Sequence, residues 1–156
     1  MFFKSTIIHE RFPLITKRYP KTGVYWCASD QMALEILKEH QATGTHPVII
    51  GGFDWLPEAL KKIKSKELSA SAGGHFLMAT HALIKIVDYH QGIDRFFTPP
   101  RMLQFEIISA KNVDKFLPFI EGKHWYKIDF SNYLFSKASK DKPQLTFENM
   151  VASIKK

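Results

Sequence analysis

The chain has 156 residues, of which 45% are hydrophobic and 13% aromatic, enough to form one folded domain with a buried core. Its 22 basic residues give a net charge of +7, but they are spread along the sequence, so the charge alone does not indicate a nucleic-acid-binding patch. The single cysteine, Cys27, excludes an intrachain disulfide, and no apolar run reaches the roughly 18 residues of a membrane span. The first residues carry no apolar run of the length that an export signal needs.

Helical and strand-like segments alternate along the first part of the chain. Hydrophobic spacing predicts four helices there, over residues 3–18, 31–40, 56–63 and 76–90. Continuous apolar runs predict three buried strands, over residues 23–28, 47–53 and 68–72. Such alternation is typical of right-handed βαβ units, so we expect an α/β fold with three αβα layers around a mostly parallel sheet.

The remaining third of the chain is less regular. A strand is predicted over residues 102–109, followed by a short helix over residues 112–121. Residues 125–130 are predicted as a last strand, residues 136–143 as a loop rich in lysine and serine, and residues 147–154 as a terminal helix. The late aromatic residues are interpreted as packing for an extended C-terminal segment: Trp125, Tyr126, Phe130, Tyr133 and Phe135.

Polar side chains stand where three of the predicted strands end. Ser29 and Asp30 follow the first strand, Asp54 follows the second, and His75 follows the third. The carboxyl ends of parallel strands lie at one edge of an open α/β sheet, and ligands bind at that edge. We therefore expect these side chains to line a site for a hydroxylated small molecule.

Four blocks of sequence around these strand ends resemble the type I periplasmic sugar-binding proteins, specifically their C-terminal half. They are YWCASDQMAL at residues 25–34, VIIGGFD at 48–54, PEALKKI at 57–63 and LSASA at 68–72. The blocks are similar to both the ribose-binding protein and the autoinducer-2 receptor, and the similarity extends over about residues 15–115. The resemblance implies the C-terminal lobe of a type I periplasmic binding protein.

In that family two α/β lobes close over a sugar, and the resemblance implies which residues contact it here. Ser29 and Asp30 match a strand-end pair that binds hydroxyls from one side. Asp54 matches a carboxylate that takes two sugar hydroxyls, and Phe53 matches an aromatic position beside it. This chemistry suits a sugar, since a carboxylate accepts two hydrogen bonds and an aromatic ring covers the apolar C–H face.

The third strand end departs from the family pattern. Relatives place a glutamine or arginine that reaches the ligand where this chain has Gly74, followed by His75. Either His75 takes over that contact, or the glycines make room for a bulkier ligand or for a side chain from elsewhere. We predict Gly74 and His75 as ligand-site residues and expect ligand specificity to differ from the relatives at this point.

The candidate residues also have structural interpretations. Asp30 and Asp54 each precede a predicted helix and could cap it. Trp55 is included in the predicted site, where it either stacks on a sugar or covers the start of a helix. His75 either contacts the cleft or forms a hydrogen bond at a helix start. Cys27 is interpreted as a small buried hydrophobe, and because the other histidines lack metal-ligand spacing, no metal or cofactor is expected.

The resemblance implies a binding function without catalysis. The chain is expected to be the C-terminal fragment of a periplasmic receptor that binds a sugar between its lobes, for import through an ABC permease or for signalling through a membrane sensor kinase. An alternative is the effector-binding core of a sugar-responsive transcriptional repressor, which requires an N-terminal helix-turn-helix. Another is a glycosidase that uses Asp30 and Asp54 as its carboxylate pair. No nucleic-acid partner is expected.

Family members are longer and include an N-terminal lobe, so residues 1–156 are expected to form a single partial domain. The resemblance implies that residues 75–108 pack with the absent lobe in the longer proteins. The apolar face of the predicted helix over residues 76–90 would then lack a partner. We expect either a homodimer through this helix or a rearranged packing that hides its apolar face.

Overall fold

A computed structural model describes residues 6–43, 46–93, 105–122, 124–135 and 144–154. Within these ranges the strands are β1 (Val24–Trp26), β2 (Ile49–Phe53), β3 (Ala70–Gly73) and β4 (Glu106–Ser109). The α-helices are α1 (Thr6–Arg18), α2 (Asp30–Thr43), α3 (Pro57–Lys64), α4 (Leu77–His90), α5 (Val113–Gly122) and α6 (Phe147–Ser153). None of the described helices has the length and apolar character needed to cross a membrane.

The predicted alternation of helices and strands is confirmed, as is the α/β fold class. The four strands form one sheet in the order β1-β2-β3-β4. β1 and β2 are parallel, with Val24 opposite Ile49, and β2 and β3 are parallel, with Phe53 opposite Ala72. Because parallel neighbours need a crossover connection, α2 and α3 return the chain to the same end of the sheet each time. The carboxyl ends of β1, β2 and β3 therefore share one edge.

One predicted strand is wrong. Residues 125–127 and 130 lie in two 3₁₀-helices, His124–Lys127 and Phe130–Tyr133, and the two residues between these helices form no strand. The Asp129 side chain accepts a hydrogen bond from the Ser131 backbone N–H at 3.0 Å, and such local bonds compete with strand pairing. The predicted loop over residues 136–143 lies outside the described residues, as do residues 102–104 of the strand predicted before β4.

The two faces of the sheet are covered unequally. On one face, Phe12 of α1 is buried and its ring lies 5.7 Å from that of Tyr25, while Ala33 of α2 is buried against β2. On the opposite face Val24, Trp26 and Ile49 are exposed. The strand alternation therefore directs one set of apolar residues into the helical layer and leaves the other set on the surface.

The sequence of α3 explains why it packs on the sheet. Ala59, Leu60 and Ile63 recur at helical spacing and are all completely buried. Pro57 begins the helix, where its missing N–H costs no hydrogen bond. The lysines fall on the other side, and Lys64 forms a 2.8 Å ion pair with Asp114 of α5.

Cys27 follows β1 directly and is buried, as expected for a small hydrophobe. Its backbone N–H donates to the Gly51 carbonyl at 2.9 Å, which extends the pairing of β1 with β2 by one residue. Burial, together with the nearby charge of Asp30, raises the pKa of the Cys27 thiol to about 11. The thiol is therefore protonated and unreactive at neutral pH.

The chain divides into two compact units. One consists of Met1–Gly73 and Ile107–Pro118, and the other consists of Gly74–Glu106 and Phe119–Lys156. The second unit contains a cluster of aromatic rings formed by Phe76, Phe119, Trp125 and Phe147. The packing role predicted for the late aromatic residues is confirmed for Trp125 within this cluster and for Tyr133, which is buried.

Helix α4 of the second unit has a mixed surface. Leu77 and Ile84 are buried, and so is Asp88, whose carboxylate accepts a 3.0 Å hydrogen bond from the Phe135 backbone N–H. Several large apolar side chains on the helix are nevertheless exposed: Met78, Leu83, Ile86, Val87 and Tyr89. The apolar face expected for this helix is thus not hidden within the described part of the chain.

Candidate functional site

The connection between β2 and α3 contains an unusual turn. Asp54 has a φ of 121° and Trp55 a φ of 62°, both in a region that residues other than glycine seldom adopt. The Asp54 backbone N–H still donates to the Ala72 carbonyl at 2.9 Å, so the pairing of β2 with β3 continues into the turn. Each such backbone conformation costs about 1–3 kcal/mol and persists only when its surroundings hold it.

Trp55 anchors this turn in the core. Its side chain is only 3% exposed, and its indole N–H donates to the Ser71 carbonyl at 3.1 Å. The ring stacks on Phe116 of α5, with centroids 6.4 Å apart and planes 11° apart. It also lies where a side chain at Gly73 would stand, 2.6 Å from the nearest ring atom. These contacts support the packing interpretation of Trp55, and a ligand contact by this residue stays a prediction.

Asp30 is completely buried, with 0% of its surface exposed. Its Oδ1 accepts a 2.7 Å hydrogen bond from the Ser71 hydroxyl, and its Oδ2 accepts a 2.8 Å bond from the Leu56 backbone N–H. Burial raises the pKa of the Asp30 carboxyl, and the hydrogen bonds from Ser71 and Leu56 oppose that rise. The negative charge of Asp54 raises the pKa of the Asp30 carboxyl further.

The interpretation of Asp30 as the cap of the helix that follows it is wrong. Asp30 is the first residue of α2, and the cap is Ser29, whose hydroxyl accepts from the Met32 backbone N–H at 3.2 Å. The N-cap position of α3 is held by Leu56, two residues after Asp54. Asp30 thus bonds the backbone at the start of α3 instead of the start of its own helix.

The structure brings four of the predicted residues to the carboxyl ends of β1 and β2. Ser29 and Asp30 follow β1, Phe53 ends β2, and Asp54 comes directly after it. Ser29, Phe53 and Asp54 are half-buried, so each still has surface toward solvent. Such a group of a hydroxyl, an aromatic ring and a carboxylate can bind sugar hydroxyls and an apolar sugar face.

Gly74 and His75 belong to the second compact unit, at the start of α4. Gly74 is buried and has a φ of 102°, a backbone conformation that favours glycine and would strain the glutamine or arginine of the relatives. The Gly74 and His75 carbonyls accept from the Leu77 and Met78 N–H groups at 3.0 and 2.9 Å. The half-buried His75 ring meets Phe76 edge-on at 5.9 Å. A ligand role for either residue stays a prediction.

The sequence interpretation missed Ser71, which is buried in β3 and connects Asp30 to the turn. Its only sequence signal is the alternation of serine and alanine over residues 69–72, which places Ser69 and Ser71 on the same side of the strand. Phe116, which supports Trp55, was also missed. It lies in a separate helix 61 residues later along the chain, so no local pattern relates the two rings.

No protein-family model and no curated protein sequence matches the chain. Solved structures do match it. A periplasmic sugar-binding protein from Pseudomonas fluorescens superposes with a TM-score of 0.73 at 24% identity, over 86% of this chain and 42% of that one. The chain has the lobe fold of the type I periplasmic sugar-binding proteins. The resemblance drawn from the four sequence blocks is thereby confirmed for the fold.

Two further structures with this periplasmic-binding-protein fold were matched. The Caulobacter myo-inositol binding protein, solved with myo-inositol, has a TM-score of 0.55 at 26% identity, over 69% of this chain and 37% of that one. The arabinose ABC transporter component from Shewanella sp. ANA-3, solved with L-arabinofuranose, has a TM-score of 0.59 at 16% identity, over 78% of this chain and 40% of that one. The chain spans about two fifths of the length of these sugar-binding proteins.

Proposed function

We propose that the chain forms one wall of the ligand site of a periplasmic sugar receptor. The observation that carries the proposal is the strand-end group in which the half-buried residues Ser29, Phe53 and Asp54 lie together at one sheet edge. This group sits on a lobe fold whose solved relatives are described as sugar-binding proteins. Ligands of α/β sheets bind at this edge.

The residues would act by binding and not by catalysis. Asp54 accepts two sugar hydroxyls, Phe53 covers the C–H face, and Ser29 adds a hydroxyl contact. A ligand without the matching hydroxyls is rejected because the polar groups of the wall would then be desolvated without partners. The matched structures are those of a sugar-binding protein and a transporter component, which fits a role without bond-breaking chemistry.

The wall is proposed to be one side of an interlobe cleft in a longer protein located in the periplasm. Ligand contacts made only in the closed state would shift the population toward closure. The closed receptor would then deliver its sugar to an ABC permease or signal to a membrane sensor kinase. Since this chain spans about two fifths of the relatives, it supplies only part of those contacts and is expected to bind sugar weakly.

Weak binding by the chain itself can be measured by NMR titration with D-allose, myo-inositol and L-arabinose. At about 100 mM sugar, a site with a millimolar dissociation constant is well populated. We expect the sugar to change the amide chemical shifts of Ser29, Phe53 and Asp54 in the wild type. In Asp54→Ala we expect the sugar to leave the amide chemical shifts at these positions unchanged. The matched control is Glu58→Ala, which removes an exposed carboxylate four residues along in α3 and should leave the titration unchanged.

Two results would contradict this assignment. One is the absence of any sugar-dependent shift at the strand ends, and the other is a titration that Asp54→Ala leaves intact. Micromolar affinity in calorimetry would refute the narrower claim that the chain supplies only part of the contacts.

We also propose that the chain self-associates through α4. Leu83 and Val87 are exposed on this helix, and they line an apolar groove of about 300 Å³ together with Phe130 and Leu134. Exposed apolar patches favour association, and two-fold pairing would bury the same patch on both copies. Light scattering is expected to give the mass of a dimer, and Leu83→Lys to give that of a monomer.

The control for this experiment is Leu14→Lys on α1. Leu14 is 59% exposed and Leu83 is 63% exposed, so the two substitutions place the same charge on equally accessible positions. A monomeric wild-type chain that binds no apolar dye would contradict the proposal. So would loss of the dimer in both variants.

A further inference from the structure

We propose that Asp30 and Ser71 are positioning residues that hold the Asp54–Trp55 turn and thereby present the Asp54 carboxylate at the sheet edge. In this arrangement Asp30 acts through the turn and does not itself contact the sugar. The inference deepens the proposed function and rests on it for the role of Asp54. The hydrogen bond between the buried residues Asp30 and Ser71 does not depend on the proposed function.

The pair joins three elements of the first unit. Asp30 comes from the start of α2 and Ser71 from β3, and the bonded Leu56 N–H lies at the start of α3. The Ser71 hydroxyl, which donates to Asp30 at 2.7 Å, also lies 3.4 Å from the Trp55 backbone N–H. Two successive backbone amides of the turn, those of Trp55 and Leu56, are therefore held by this one pair.

The turn needs such support because two successive residues other than glycine have positive φ. Without fixed partners for the Trp55 and Leu56 N–H groups, the backbone can relax to the commoner negative φ. Relaxation at Asp54 would change the direction of its side chain relative to the end of β2. The position of the Asp54 carboxylate thus depends on bonds made by the two residues after it.

Strand β2 has a glycine, Gly52, where it passes the Asp30 carboxylate. A side chain at Gly52 would collide with Asp30 Oδ1 and would stand 3.0 Å from the Asp30 Cα atom. Gly52 of the GGFD block therefore leaves space for a carboxylate beneath the strand. Burying a carboxylate without partners would be costly. In the space beside Gly52, both oxygens of Asp30 accept hydrogen bonds.

Exposure separates the roles of the two aspartates. Asp30 has no accessible surface and both of its oxygens accept hydrogen bonds within the protein. Asp54 is half-buried, and so retains accessible surface. The aspartate that retains accessible surface is the one suited to a ligand, while the fully buried one is suited to fixing the backbone beside it.

The test compares Asp30→Ala and Ser71→Ala with Ser69→Ala, a control that removes an exposed serine two residues earlier on the same side of the chain. In the wild type, positive φ gives strong intraresidue NOEs between the amide proton and Hα of Asp54 and Trp55. We expect both test variants to lose these strong NOEs and the hydrogen-exchange protection of the Leu56 amide. The amide of the buried residue Ile50 in β2 should keep its protection in all variants.

These outcomes decide the proposal without any ligand. Retention of the strong NOEs in both test variants would overturn it, as would equal loss of protection at Leu56 and Ile50. If Asp30→Ala fails to fold, Ser71→Ala carries the test, and Ser71→Thr, which keeps the hydroxyl, should restore the NOEs.

A second arm adds D-allose and follows the Asp54 amide shift. Both test variants are expected to lose the shift that the wild type and Ser69→Ala show. If a variant loses the strong NOEs but its Asp54 amide still shifts with D-allose, the claim that the turn positions Asp54 for the ligand is wrong. If the wild type itself shows no shift with any sugar, the proposed function fails while the NOE comparison still decides the role of the pair.

Discussion

Phe147→Ala is expected to lower the free energy of unfolding by about 3–5 kcal/mol, the usual cost of removing a fully buried phenylalanine. Phe147 has 0% of its surface exposed. Its ring centroid lies 5.3 Å from that of Phe119 and 5.8 Å from those of Phe76 and Trp125. These tilted and edge-on contacts join α6 to the rest of the second unit, so their loss leaves a cavity shared by three rings.

Urea unfolding followed by tryptophan fluorescence measures this loss, because Trp125 lies in the same cluster. The control is Tyr126→Ala. Tyr126 neighbours Trp125 in sequence but is 79% exposed, so its removal should change the stability by less than about 0.5 kcal/mol. Similar losses for both variants would show that α6 does not pack through Phe147.

Gly52→Ala is expected to cost about 3 kcal/mol through overpacking and disturbed hydrogen bonds. The added methyl would meet Asp30 Oδ1, the Asp30 Cα atom at 3.0 Å and the Ala33 Cβ atom at 3.1 Å. The last two belong to the first turn of α2, whose backbone cannot move aside without disturbing the core. The measurement is the free energy of unfolding, with hydrogen exchange at Leu56 reporting on the Asp30 contact.

Gly51→Ala is the matched control, one residue earlier on the same strand. Its methyl would meet the Trp26 ring at 2.6 Å, but that ring is 60% exposed and can rotate into solvent. The Ala70 carbonyl at 3.3 Å is a smaller obstacle, and alanine has an entropic advantage over glycine in a strand. We expect a change within about 1 kcal/mol. A larger loss for Gly51→Ala than for Gly52→Ala would contradict this account of the two glycines.

Local patterns were sufficient to predict much of the fold. The helical spacing of Ala59, Leu60 and Ile63 located α3, and the apolar run ending at Phe53 located β2. These patterns succeed because burial of one helix face or one strand depends on residues close in sequence. From the strand ends alone, Asp54 could be placed at the sheet edge.

The internal support of the candidate site was not predictable in this way. Asp30 and Ser71 are separated by 41 residues along the chain. The burial of Asp30 depends on its hydrogen bond with Ser71 and on the space left at Gly52. A sequence pattern shows that Asp30 precedes a helix but does not show that its carboxylate reaches Leu56. The strand predicted over residues 125–130 failed for a related reason, because a short segment rich in aromatic residues does not reveal the turn that Asp129 stabilises.

The strands β1 to β4 also lie in the sheet in the order in which they are synthesised. β1, β2 and β3 emerge in the order in which they pair, so each can add to its neighbour as soon as it leaves the ribosome. β4 completes the other side of β3 but comes only after residues 74–105 have been made. The edge of β3 that faces away from β2 is therefore the last to gain its partner strand. A nascent chain stalled within residues 74–105 presents this unpaired edge to chaperones and to other chains.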